Sequence, residues 1–245
     1  MTPAAVLEAR WKAELLVTLG KVAPPRYANF IGRHRDDPSF EVRRAVATAL
    51  GVIDNDAIAV PVLVHVLARH SRREDFFVQW DAGQSLIAIA RRRSPDGVRR
   101  RLVELLQEPF GMTVVIAARG LAATGDARGI AKLRDLTAHP DGDVRREAVL
   151  ALGELVDRGG ADAVTRRLTD DNVAVRAAAV YALARMKGAA VVPELRQAVQ
   201  DALAYERERR RQTGEKPEAL ERLGIGIFDL RETLQEAITE TQTKG

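Results

Sequence analysis

A ten-residue pattern recurs along this chain, and an internal repeat limits the possible architecture more than any composition does. Residues Val42 to Gly51 align with Val144 to Gly153 and with Val175 to Ala184, sharing Val-Arg at the start, an apolar centre and Ala-Leu near the end. Weaker copies begin at Trp11, Val78 and Thr113. The six frames therefore start at 11, 42, 78, 113, 144 and 175, separated by 31, 36, 35, 31 and 31 residues. That spacing fits a unit of two short helices and a turn.

Within each frame the apolar residues sit at offsets 0, 4, 7 and 8, which at about 100° per residue form one stripe along an α-helix. Alanine at offsets 4 and 7 lets neighbouring helices approach closely, and leucine at offset 8 fills the space between units. A second amphipathic stretch follows most frames, at 59–68, 98–106, 130–137, 161–168 and 191–199. Turn chemistry marks the boundaries: Asp36-Asp37-Pro38-Ser39, His139-Pro140-Asp141-Gly142 and Asp170-Asp171-Asn172 precede frame helices, while Gly125-Asp126 and Gly159-Gly160 are expected to close them. One hairpin of this size cannot hide its own apolar stripe, whereas hairpins stacked side by side can. The expected fold is all-α: a right-handed α-solenoid of about six two-helix repeats over residues 1–200. A charged helix and C-terminal capping helices are expected over 201–245, where Ile227, Leu230, Leu234 and Ile238 share one helical side. Aromatics at 4% of residues argue against a β-sandwich, and the absence of cysteine excludes disulfides, thiolate metal sites and cysteine nucleophiles.

The turn Asp-x-x-x-x-Val-Arg followed by x-x-Ala-x-x-Ala-Leu-Gly resembles HEAT repeats, specifically the short HEAT-like type associated with phycobilisome lyases. The resemblance spans roughly residues 11 to 200 and is strongest in the frames at 42, 144 and 175. The run of repeats, with its Phe76-Phe77-Val78 and Gly120-Leu121-Ala122 portions, is also similar to the solenoid that follows the catalytic part of some bacterial M1-type aminopeptidases. The resemblance implies that the Val-Arg helices line a concave surface and that the molecule binds a macromolecular partner. It also implies that Arg43, Arg145 and Arg176, at offset 1, bond the carboxylates and carbonyls of adjacent turns, a stabilising role.

No enzyme is expected. The four histidines, His34, His65, His70 and His139, are scattered, with no spacing that puts metal ligands on one helix face. The His-Glu dyads of repeat-built iron hydroxylases of the deoxyhypusine type are missing. Gly224-Ile225-Gly226 lacks the third glycine of a dinucleotide loop, and no phosphate loop exists. Catalytic residues, metal and cofactor are therefore each expected to be none. Charged residues interrupt the first 20 positions and no apolar run approaches a bilayer span, so a cytoplasmic protein without membrane contact is expected.

If the implied geometry holds, offsets 2 and 6 face outward on the concave side. The row Arg44, Trp80, Gln84, Arg119, Arg146 and Tyr181 mixes arginine with aromatics, residue types enriched at protein-binding hot spots. It is the expected contact surface for a protein partner. A rival surface is basic: Arg91, Arg92, Arg93, Arg99, Arg100 and Arg101 flank one turn, with Arg72 and Arg73 a hairpin earlier, and such guanidinium groups hold phosphates bidentately. That patch offers a nucleic-acid-binding alternative. A third reading is an accessory module of a lyase or M1-type peptidase that lacks an active site of its own. The net charge of +4 is concentrated in the segment 69–119, where 10 basic residues face 6 acidic ones.

Overall fold

The computed structural model of the chain describes residues 3–68, 75–92 and 95–188, with scattered positions beyond 195. Among the described residues every regular element is helical: α1 (Pro3–Val22), α2 (Ala28–Gly32), α3 (Phe40–Val52), α4 (Asp56–Ala68), α5 (Asp75–Arg92), α6 (Pro95–Leu105), α7 (Gly111–Ala123), α8 (Ala127–Leu136), α9 (Gly142–Glu154), α10 (Ala161–Thr165) and α11 (Val173–Lys187). The six frames fall on α1, α3, α5, α7, α9 and α11 in turn. The second helices α4, α6 and α8 follow as expected, while α10 lasts five residues and continues as a 3₁₀ turn over Arg166–Thr169. The stretch 191–199 and the C-terminal features lie largely or wholly outside the described residues. No described helix is long and apolar enough to cross a membrane.

The helix starts follow the turn residues. Asp141 accepts a bond from the Asp143 N–H at 2.8 Å and Asn172 one from the Ala174 N–H at 2.9 Å, so side-chain oxygens satisfy donors that a helix leaves open. Gly125, at φ 78°, follows α7 as expected. Gly159-Gly160 does not close α9. The chain turns earlier, at Val156 with φ 53°, where the Asp157 N–H reaches back to the Leu152 carbonyl at 3.0 Å. A β-branched residue in left-handed backbone is uncommon, and nothing in its side chain announces such a turn. The helix α2 was not expected either. Pro24 and Pro25 preset the chain for a 3₁₀ turn over Pro25–Tyr27, and one helical turn follows before the bend at 33–36.

Contacts divide the chain into two compact units, residues 1–129 and 130–245. In the first, α1 packs on α3, α3 on α5 and α5 on α7, with α4 against α5 and α6 against α7. In the second, α9 packs on α11, and α10 with its 3₁₀ extension packs on α11 as well. Each unit is thus a stack in which frame helices meet their successors, the logic of repeat folds. Leucine at offset 8 fills each layer: Leu50, Leu86, Leu121, Leu152 and Leu183 are all buried.

Close approaches between successive frame helices repeat as well. A Cβ on Gly20 would lie 2.6 Å from the Ala49 Cα, one on Gly51 would lie 2.3 Å from the Ser85 Oγ, and one on Gly153 would lie 2.7 Å from the Ala182 Cα. In every case a glycine at offset 9 of one frame meets a small residue at offset 7 of the next.

The arginine at offset 1 also behaves identically wherever it occurs. Arg43 Nη1 donates to the carbonyls of Asp37 and Pro38 at 2.8 and 3.1 Å, Arg145 Nη1 to those of His139 and Pro140 at 2.9 Å each, and Arg176 Nη1 to those of Asp170 and Asp171 at 2.8 and 3.3 Å. All three are buried. In the frame at 78 the position holds Gln79, whose Nε2 donates to the Leu67 carbonyl at 2.9 Å. In the three arginine frames the device ties the turn before the frame helix to that helix's first turn, supplying partners to the turn carbonyls.

Carboxylates complete the turns and make the fold acid-sensitive. Hydrogen bonds from Arg128 hold the Asp126 carboxyl at about 2 against the opposing effect of burial. Burial alone would raise Asp37 and Asp170; bonds from Lys12 and Ser39 to the former, and from Arg145 and Asn172 to the latter, outweigh it and leave both below the ordinary carboxylate value. Their stabilisation is complete above the unfolded-state value and disappears as pH falls through the folded-state values. The melting temperature, followed by circular dichroism, should therefore hold near pH 5 and drop between about pH 4 and pH 2, less steeply in Asp126→Asn. An unchanged melting temperature down to pH 2 contradicts this assignment.

One frame departs from the expected pattern. Trp11 and Leu15, at offsets 0 and 4 of the first frame, are 71% and 53% exposed, and the buried side of α1 is instead Ala9, Leu16 and Gly20.

Candidate functional site

Three successive frame helices of the first unit build a surface cluster. Arg44 of α3 donates from Nε to Asp81 of α5 at 2.7 Å, and its guanidinium lies 5.6 Å from the centre of the Phe77 ring. Phe77 meets Phe76 edge-on at 5.4 Å, and Phe76 lies 6.1 Å from Trp80. Arg119 of α7 covers the Trp80 ring at 4.5 Å. The result is a continuous chain of three rings bracketed by two guanidinium groups: Arg44, Phe77, Phe76, Trp80, Arg119. Phe77 is 54% exposed, and the other four are half-buried. Gln84, one turn beyond Trp80, is exposed.

Local sequence explains why these groups share a side. Residues 77, 80, 81 and 84 are separated by three, one and three positions, which places them on one face of α5. Arg44 and Arg119 reach that face from offsets 2 and 6 of the flanking helices. Guanidinium groups over rings gain cation–π attraction, about 0.5–1 kcal/mol each at exposed sites. The arrangement can bind a surface; it contains no nucleophile–base pair.

Four of the six row residues, Arg44, Trp80, Gln84 and Arg119, belong to this unit. Arg146 and Tyr181 belong to the other, where Arg146 is paired with Asp143 at 3.1 Å and Glu147 at 3.0 Å, and the Tyr181 hydroxyl accepts from Arg185 at 3.2 Å. The rule that offset 2 faces outward fails at Val115 and Ala177, both buried. Those positions are apolar on helices with buried residues all round, α7 and α11. Phe76 and Phe77 precede their frame, because α5 begins at Asp75, three residues before it, and Asp81 sits at offset 3, outside the row of offsets 2 and 6. The three-residue spacing from Phe77 to Trp80 was the available signal.

The basic patch is less open than its composition suggests. Arg99 lies 3.2 Å from Asp96 and 3.7 Å from Asp126, and Arg101 lies 2.8 Å from Glu104. Arg91 and Arg100 are exposed. Arg72, Arg73 and Arg93, and the side chain of Arg92, lie outside the described residues. Among the described residues no group of three acidic or histidine side chains could hold a metal ion.

Residues 130–213 match the family model of HEAT repeats. The HEAT-repeat match takes in the frames at 144 and 175, both in the second unit, and about a third of the chain. Among solved structures, two engineered proteins from the Northeast Structural Genomics Consortium are similar. One is 22% identical over 89% of this chain and 97% of its own, with a TM-score of 0.44. The other is 24% identical over 78% of this chain, which spans 56% of its length, with a TM-score of 0.40. Human deoxyhypusine hydroxylase in complex with glycerol is 17% identical over 97% of this chain and 96% of its own, with a TM-score of 0.38. A comparison with curated proteins gave no match.

Proposed function

We propose that this chain is a non-catalytic interaction module that binds a protein partner through the α3–α5–α7 surface. The observation that carries the reading is the half-exposed chain of rings and guanidinium groups from Arg44 to Arg119. Arginine, tryptophan and other aromatics combine apolar area with directional donors, and few residues of this kind dominate binding energy at protein interfaces. HEAT-repeat character in the second unit supports the same reading, since such repeats commonly mediate protein interactions.

Nucleic acid would draw instead on the arginines of α6, and two of these are engaged by carboxylates on their own surface. Phosphate binding would also weaken steeply with salt. The deciding experiment is affinity capture from the native cell with wild type, Trp80→Ala, Phe77→Ala and Arg100→Glu, each washed at low and high salt. A partner protein should be retained at high salt by wild type and Arg100→Glu. Its recovery should fall at least about tenfold with Trp80→Ala, the scale of a hot-spot loss. Recovery of nucleic acid that is stripped by salt and abolished by Arg100→Glu would sink the proposal. Because Trp80 is only half-buried, circular dichroism should show its variant folded.

A further inference from the structure

Five of the exposed large apolar side chains belong to one helix. Val6, Leu7, Trp11, Leu15 and Val22 of α1 are 47, 57, 71, 53 and 74% exposed. Leu7, Trp11, Leu15 and Val22, with Thr18 among them, fall within about 80° of arc at about 100° per residue, along a helix about 30 Å long. Trp11 and Leu15 occupy offsets whose counterparts Val42, Val46, Val144, Ala148, Val175 and Ala179 are all buried. The face therefore carries the residue types that the other frame helices hide, and a contiguous apolar strip of this kind marks an association surface.

The edge of the strip says what covers it. Arg10 and Glu14 lie one turn apart beside Trp11, 3.4 Å from each other, with side chains 74% and 59% exposed. An antiparallel copy of α1 sets each Arg10 against the other chain's Glu14 and forms two ion pairs, whereas in a parallel two-fold pair opposite edges meet and these two residues do not face each other. On the opposite edge Lys12 is engaged by Asp37 at 2.5 Å. The strip is thus self-complementary in one orientation, the requirement for an isologous two-fold contact.

We infer that the α1 surface binds a second copy of this chain through an antiparallel α1–α1 contact. One helix pair lies at the lower end of stable interface sizes, so the dimer should be of roughly micromolar strength. The surface is distinct from the ring-and-guanidinium cluster, and the inference stands independently of the proposed function.

Sedimentation equilibrium of the full chain from about 1 to 100 μM should show the mass rising from 26.9 kDa toward twice that value. Trp11→Glu should remain monomeric throughout with an unchanged melting temperature. Arg10→Glu should weaken association by about tenfold, and adding Glu14→Arg to it should restore dimerisation. A wild-type monomer at the highest concentration, a dimer that survives Trp11→Glu, or one indifferent to the single charge reversal would each overturn the inference.

Discussion

Arg145→Ala should lower the unfolding free energy by about 3–5 kcal/mol, the cost of breaking a buried charge pair from one side. The guanidinium donates to both oxygens of Asp170 at 2.9 and 2.7 Å, to Asp171 at 2.6 Å, and to the carbonyls of His139 and Pro140. Asp170 is buried, and although Arg167 also reaches it at 3.3 Å, loss of the bidentate partner leaves a carboxylate out of water and short of donors. Two turns then lose their common tie. The damage comes from the stranded group more than from lost attraction, so Arg145→Met combined with Asp170→Leu should be markedly less harmful than Arg145→Ala alone. Urea unfolding followed by circular dichroism measures both. A loss under 1 kcal/mol, roughly that of an exposed pair such as Arg101–Glu104, would show that the arginine is dispensable.

Gly153→Val should be similarly severe, and even Gly153→Ala should cost about 1–3 kcal/mol by overpacking. The added Cβ meets Ala182 Cα and Cβ at 2.7 Å each, and a backbone atom cannot swing aside as a side-chain tip can. Only separation of α9 from α11 relieves the clash, and that opens the layer around Leu152. Ala182→Gly should recover part of the loss in Gly153→Ala, a coupling that only contacting residues show. Gly97 supplies the contrast, since a Cβ there meets nothing within 4 Å; its replacement by alanine should be neutral or gain up to about 1 kcal/mol of helix propensity. Equal effects at the two glycines would remove the close-contact explanation.

Both predictions concern features visible as spacing. Arg at offset 1 bonds carbonyls five and six residues before it, and leucine at offset 8 is buried, because these relations lie inside one turn-and-helix unit and recur with it. Local periodicity thus determined which segments are helices, which arginines are structural and how successive frames are spaced. Exposure was decided elsewhere. Trp11 and Val42 share an offset, yet one is 71% exposed and the other fully buried, because burial depends on what a neighbouring helix brings and not on the residue's own register. The same holds for Val115 and Ala177, turned inward where Arg44 and Trp80 remain at the surface. The meeting of Arg44, Phe77, Trp80 and Arg119 from three helices depends on contacts between residues some 35 positions apart, a distance over which periodicity conveys orientation but no partner. Spacing within a unit is covalent geometry; the surface a unit presents is settled by packing.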